Sequence, residues 1–362
     1  MSKIRVLIVE DSITVRRYLV DVVQSSPDFE VVGEAGDGKR AIELCSTLRP
    51  DVVTMDMMLP LMTGVAATEY IMAYCPTPIL IVSASTNRGE VFKTYEALNA
   101  GALDVLEKPH NVTDASWRDK FLSTLRVISR VRVITHPRGR FRGNEHIVTN
   151  GNRVAAPFAA SAPARRSERN IRLIAIGAST GGPAALAQIL GALPASFPFP
   201  IIIVIHIAEA FAPAMAEWLN TQSRIPVRYA REGERISFGT PSVLLAPATH
   251  HLMVEGPYLR FSDSQPRHSC KPSVDVLFES IAEHYGDSAI LCLLTGMGKD
   301  GAAGMLRARH AGAFTIAQDE ATSVVFGMPG EAVRIGAADK VLALGEIAPA
   351  VVSLVQTEVR AE

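Results

Sequence analysis

The sequence predicts an α/β chain of two doubly wound, mostly parallel units joined by a basic linker. Three observations point there. Short apolar strand-like runs alternate with helix-like runs, the pattern of a parallel sheet wrapped by helices. The alternation stops over residues 131–170 and resumes after residue 170. Charge follows the same division. Residues 1–130 carry 14 basic and 17 acidic side chains (net −3), residues 131–170 eight Arg and two Glu (net +6), and residues 171–362 14 basic and 18 acidic (net −4).

In chain order, the first unit shows strand runs RVLIVE, FEVVGEA, DVVTMD, PILIVSA and LDVLE. Between them lie helix runs SITVRRYLVDVVQ, GKRAIELCSTL, GVAATEYIMAY and GEVFKTYEALNAG, with a fifth from about Thr113 to Arg130. Five such strands make a parallel five-stranded sheet. The middle stretch mixes Pro, Gly, Ala, Ser and Arg without period 2 or 3.6, as a flexible linker does. Beyond it come strand IRLIAIGA, helix PAALAQILGAL, strand IIIVIH and helix FAPAMAEWLNTQ. A β-rich stretch follows: PVRYA, ERISFG, SVLLAPATHHLMV and YLRFS. Helix SVDVLFESIAEHYG, strand AILCLLT, helix AAGMLRARHAG and strand AFTIAQD complete the pattern.

Composition narrows the function. With 362 residues and 48% apolar side chains, each unit can bury a core. A net charge of −1 argues against a general nucleic-acid or membrane-surface binder. The basic middle stretch lacks the aromatic interleaving of a nucleic-acid arm. Cys45, Cys75, Cys270 and Cys292 show no metal-type spacing and read as buried, reduced thiols. The first apolar run is too short for a signal-peptide core, and no apolar stretch approaches the ~20 residues of a membrane span. The expectation is a soluble, cytoplasmic protein that neither inserts in membranes nor binds nucleic acid.

Chemistry-bearing residues stand at strand ends, where open α/β sheets gather reactive groups. In the first unit these are Glu10 and Asp11, Asp56, Ser83 and Lys108. Phosphate chemistry on a carboxylate needs such a set. Glu10, Asp11 and Asp56 suit Mg²⁺. Lys108 can neutralise phosphoryl oxygens, and the Ser83 hydroxyl can bond to them. Singly, each has a plain reading; Asp11 could cap the helix that follows it. An aspartate-nucleophile phosphatase would carry DxD, but Met58 stands at the second position.

In the second unit Ser179, His206 and Asp300 each follow a different apolar strand, the placement a nucleophile, base and orienting acid require. Gly177–Gly181 fits G-x-S-x-G, and Pro183 suits the first turn of a helix whose N–H groups could serve an oxyanion. A dinucleotide loop is the competitor, but it expects an acid at the end of the next strand, where this chain has His206. Of nine histidines, only His206 directly ends a long apolar strand. His250, His251 and His268 could line the same cleft. Asp300 precedes a helix and could be only its cap.

Over residues 1–125 the pattern resembles the flavodoxin-like receiver domain of bacterial response regulators. Residues 171–355 resemble the CheB-type protein-glutamate methylesterase domain, through IGASTGGP, GERISFGT, LAPATHHLMV, KPSVDVLFESIA, LLTGMGKDGA and AQDEATSVVFGMPGEAV. The resemblance implies a receiver over 1–130, a linker over 131–170 and a catalytic domain over 171–362. It implies phosphorylation of Asp56 by a chemotaxis histidine kinase, with Mg²⁺ in the receiver and no cofactor for the esterase. It makes Ser179 the nucleophile, His206 the general base and Asp300 its partner, with Thr180 and Met297 lining the site. The implied substrates are methylated chemoreceptors, whose glutamate methyl esters yield glutamate and methanol, with deamidation of receptor glutamines besides. A signalling adaptor using the fold only for binding is the competing class, and an intact triad argues against it. Departures from the family pattern are Val105 in place of the receiver aromatic, Met58 beside the phosphoacceptor, Ile207 after His206, and Ala248-Thr249 before the HHLMV run. A tethered switch and catalyst also suggest that the unphosphorylated receiver covers the cleft.

Overall fold

The computed structural model describes residues 2–84, 88–109, 111, 114–131, 133 and 171–359. The expected linker over 131–170 lies almost entirely outside the described residues.

The first unit is a parallel sheet of β1 (Ile4–Val9), β2 (Phe29–Ala35), β3 (Val52–Met55), β4 (Ile79–Ser83) and β5 (Asp104–Glu107), in the order β2-β1-β3-β4-β5. Helices α1 (Ile13–Gln24), α2 (Gly38–Leu48), α3 (Gly64–Tyr74), α4 (Arg88–Asn99) and α5 (Ala115–Ile128) connect and flank them. The strand order reverses between β1 and β3, so the crevice beyond their carboxyl ends is the natural ligand site. Ser12, not Asp11, caps α1, its hydroxyl accepting from Val15 N–H. Asp11 is thereby left for another role.

The second unit is a seven-stranded parallel sheet in the order β14-β13-β12-β6-β7-β9-β8. Its strands are β6 (Leu173–Ala178), β7 (Pro200–Ile205), β8 (Val227–Tyr229), β9 (Ser242–Leu245), β12 (Ala289–Leu293), β13 (Phe314–Gln318) and β14 (Lys340–Leu342). An antiparallel pair, β10 (His251–Glu255) and β11 (Tyr258–Ser262), lies outside that sheet. The helices are α6 (Gly182–Ala192), α7 (Ala212–Gln222), α8 (Val274–His284), α9 (Ala302–His310), α10 (Met328–Arg334) and α11 (Leu344–Val359). Side chains of β6 and β7 alternate between two cores. Ile174, Ile176, Ile201 and Ile203 face one, and Leu173, Ala175, Ile202 and Val204 face the other. Burial on both faces explains why these strands read as unbroken apolar runs. The ERISFG run is a correction: it makes one isolated bridge, Arg235 to Tyr258, and no strand.

The two units share an apolar cluster. Val91, Tyr95 and Leu98 of α4 join the core that contains Met215, Trp218 and Leu219 of α7. Tyr95 is fully buried. Its ring stacks on Trp218 (centroids 5.2 Å apart, 19° between planes), and its hydroxyl donates to the carbonyl of Phe211 at 2.8 Å. Val105, the position where receivers often place an aromatic, packs half-buried against the same cluster. Replacing Tyr95 by Ala removes a fully buried aromatic and should cost about 3–5 kcal/mol. That loss should appear as faster hydrogen exchange in the first turns of α7, with β1 and β12 unchanged. Unaltered exchange in α7 would mean that the contact does not hold the units together.

Candidate active site

Ser179, His206 and Asp300 follow β6, β7 and β12, three strands adjacent in the sheet. The sheet's strand order reverses about β6, so these strand ends open on one crevice. Ser179 sits on the turn into α6, its N–H donating to Thr295 carbonyl at 3.0 Å and its carbonyl accepting from Gly182 N–H at 2.7 Å. Two glycines make that turn possible. Gly181 has φ +77°, and a Cβ there would lie 2.6 Å from Val324 Cγ2. A Cβ on Gly296 would lie 2.8 Å from the Ser179 Cβ and 2.3 Å from Met328 Sδ.

Asp300 is nearly fully buried. Its Oδ2 meets His206 Nε2 at 2.9 Å and accepts from Val274 N–H at 2.7 Å. Its Oδ1 accepts from Ser273 Oγ at 2.7 Å and Asp275 N–H at 3.1 Å. The last three donors belong to the start of α8, whose N-terminal N–H groups favour an anion. Gly301 occupies the cap position of α9 with no side-chain bond, so Asp300 is not that helix's cap. Burial pushes the Asp300 carboxyl up, but His206 and the α8 donors outweigh it and hold it below the usual carboxylate range. For His206, burial favours the neutral ring; the bonds to Asp300 and Cys270 prevail and raise it to about 9.

The other ring nitrogen, Nδ1, lies 3.7 Å from Cys270 Sγ. Among the described residues no hydrogen bond joins His206 to Ser179. Cys270 corrects the expectation of four buried thiols: Cys45, Cys75 and Cys292 are buried, but Cys270 is half-exposed. A thiol four positions before α8 carried no sequence signal, because its partner is 64 residues away.

These groups face a cavity of about 630 Å³. Thr180, Met297 and His268 line it, as do Asp104, Val105, Asp119 and Lys120 of the first unit. His251 does not: it is fully buried, accepting from Ser273 N–H at 3.0 Å. His250 is also absent from the lining.

In the first unit Glu10, Asp11 and Asp56 bring carboxylate oxygens within 4.8 Å of one another. Lys108 Nζ lies 2.8 Å from Glu10 Oε2 and 3.0 Å from Asp56 Oδ2. Ser83 is buried at the neighbouring strand end, its hydroxyl 3.4 Å from Ala84 carbonyl. Burial raises the Glu10 carboxyl to about 7 despite Lys108. Burial opposes the Lys108 charge, yet Asp56 and Glu10 raise its pKa. An all-oxygen set of acids with one exposed member fits Mg²⁺, which keeps several waters. Met58 is exposed there, its Sδ 3.6 Å from Lys93 Nζ.

A family described as CheB methylesterase matches residues 174–351. One described as response regulator receiver domain matches residues 6–115. The chain is 42% identical over 357 residues to a protein-glutamate methylesterase/protein-glutamine glutaminase of Nitrosospira multiformis, covering 97% of each chain. This chain belongs to the CheB methylesterase family. It is 43% identical over 345 residues to protein-glutamate methylesterase/protein-glutamine glutaminase 2 of Anaeromyxobacter dehalogenans, covering 95% of each. The CheB methylesterase catalytic domain of Thermotoga maritima, a crystal structure, is 35% identical, with a TM-score of 0.49, covering 51% of this chain and 98% of that one. The two family matches make the first unit a receiver domain and the second a methylesterase domain.

The His206–Asp300 pair sets a pH signature in the methylesterase domain. The pKa of His206 is raised on folding, so its stabilisation is full below 6.5 and is lost as pH rises through about 9. That of Asp300 is depressed, so its stabilisation is present above 3.8 and is lost as pH falls through the lowered value. The urea midpoint of this domain should therefore decline between pH 6.5 and 9 in the parent and flatten in His206→Gln. Equal declines in both proteins would sink the pairing.

Proposed function

We propose that the chain hydrolyses glutamate methyl esters on chemoreceptors to glutamate and methanol, and deamidates receptor glutamines to glutamate and ammonia. Residues 1–130 act as the receiver, 131–170 as a linker and 171–362 as the catalyst, in the cytoplasm. The observation that carries this reading is the 2.9 Å bond between His206 and a buried Asp300, beside Ser179 at one sheet edge.

In the mechanism, His206 takes the Ser179 proton as Oγ attacks the ester carbonyl. Asp300 orients the ring and stabilises the imidazolium. Backbone N–H groups at the start of α6 would serve the developing oxyanion. Collapse of the tetrahedral adduct expels methoxide, which His206 protonates to methanol. Water, deprotonated by His206, then cleaves the glutamyl ester of Ser179. An amide follows the same course with ammonia leaving.

Regulation comes from the receiver. A chemotaxis histidine kinase supplies the phosphoryl group to Asp56. Glu10, Asp11 and Asp56 would hold Mg²⁺, which neutralises charge on the phosphoryl oxygens; Lys108 and Ser83 add an ammonium and a hydroxyl. Unphosphorylated, the receiver covers the cleft with Asp104, Val105, Asp119 and Lys120. The covered site also holds little free base near neutral pH, because His206 keeps its proton up to about 9. Phosphorylation shifts the population toward an uncovered site.

Ser179→Ala should abolish methanol release from methylated receptor membranes, a loss of several orders of magnitude, with the fold intact. Asp300→Asn should lose most turnover while retaining yield. Normal release by Ser179→Ala would overturn the assignment and favour a binding role. Beryllofluoride with Mg²⁺ should raise hydrolysis by the full chain, and Asp56→Asn should remove that rise but keep the basal rate. Stimulation that persists in Asp56→Asn would place the switch elsewhere.

A further inference from the structure

His206 has two ring nitrogens, and Asp300 claims one. Asp300 cannot follow the ring, because Ser273, Val274 and Asp275 hold its carboxylate from the start of α8. In the neutral imidazole, Nε2 must therefore carry the hydrogen, and Nδ1 must carry the lone pair. That lone pair is the one able to take the Ser179 proton, and it faces the Cys270 thiol at 3.7 Å.

Cys270 is held as firmly as Asp300. Its N–H and carbonyl pair with those of Arg267 at 2.8 and 3.0 Å. The intervening His268 and Ser269 have φ of +51° and +62°, a tight turn that aims the thiol inward. His268 Nε2 reaches Asp275 Oδ2 at 3.1 Å, and Arg267 makes a two-pronged bond to Glu279 at 2.6 and 2.7 Å. Asp275 and Glu279 both lie on α8. The helix that holds Asp300 thus also holds the loop bearing Cys270, and the imidazole sits between the two. The thiol hydrogen has a second acceptor, the carbonyl of His268 at 3.5 Å. It can leave Nδ1 without being stranded.

We propose that Cys270 is a positioning residue for the hydrolysis: its thiol caps the lone pair of His206 Nδ1 and turns to the His268 carbonyl when Ser179 engages the ring. This rests on the assignment of Ser179 and His206 above. The cap fixes the ring plane and sets how readily the base is freed. In the protonated ring the roles reverse: Nδ1–H donates to the Cys270 sulfur while the thiol hydrogen turns to the His268 carbonyl, and this contact favours the protonated ring. Other charged or titratable groups around the ring are Asp300 after β12, Asp275 on α8, and His268 and Lys271 on the loop. Asp104, Asp119 and Lys120 face it from the receiver across the cavity.

The test uses the full chain activated with beryllofluoride and Mg²⁺, with kcat/KM for methanol release measured against pH. Cys270→Ala removes a contact that raises the His206 pKa. Its acid limb should move to lower pH by on the order of half a unit, with a lower plateau kcat. Cys270→Ser, whose hydroxyl can make the same two bonds, should restore the limb toward the parent. Cys270→Val keeps the bulk without the bond and should behave as Ala does, so it carries the test if the Ala protein fails to fold. Parent-like limbs and plateaus in both Ala and Val would overturn the proposal, as would failure of Ser to differ from Ala. Ser179→Ala is run in parallel. Activity there would defeat the triad itself, whereas an inactive Ser179→Ala with a parent-like Cys270→Ala defeats only the role of the thiol.

Discussion

The first turn of α8 is the reference point for the chemistry of this chain. Its N–H groups and the Ser273 hydroxyl converge on the Asp300 carboxylate, and that carboxylate orients His206. A buried charge is costly unless hydrogen bonds satisfy it. Here a helix terminus supplies them, so the acid stays ionised without a buried cation other than the imidazole it serves. The strand that delivers Asp300 only needs to reach the right depth; α8 does the aiming. The same helix anchors the loop with His268 and Cys270 through Asp275 and Glu279. One element therefore fixes both sides of the ring.

The receiver domain makes its own compact charge cluster of Glu10, Asp56 and Lys108. Its contact with the methylesterase domain is not made by an aromatic on β5, since Val105 stands there. The bulky contact comes from Tyr95 on α4, seated against Trp218. α4 is the next element after β4, which ends in Ser83, so Ser83 and Tyr95 belong to consecutive elements of the receiver.

Much of this was legible in the residues alone, for definite reasons. Parallel strands buried on both faces are continuous apolar runs, and function gathers at their ends, so Ser179, His206, Asp300 and Asp56 stood out. The exposed edge was harder to read. The ERISFG run alternates like a strand but makes a single bridge, and β14, with three residues, is too short to stand out. What was hidden depended on partners distant in sequence. Nothing local reveals that Cys270 meets His206, that Tyr95 crosses to another domain, or that Asp300 is bound by α8 and does not cap α9. Ser12 and Asp11 show the same limit at short range: either could have capped α1, and only the backbone decides.

Tyr95 docks onto a main-chain carbonyl, that of Phe211. Every amino acid has that oxygen, so no substitution at position 211 can delete the acceptor. The two halves can therefore drift apart in sequence and still recognise one another, provided that a phenol remains on one side and a slot beside an indole on the other. That makes the seam a portable joint. A receiver borrowed from a related protein would need a tyrosine at the right turn of its fourth helix, flanked by apolar side chains like Val91 and Leu98, to seat on this catalyst in the same way.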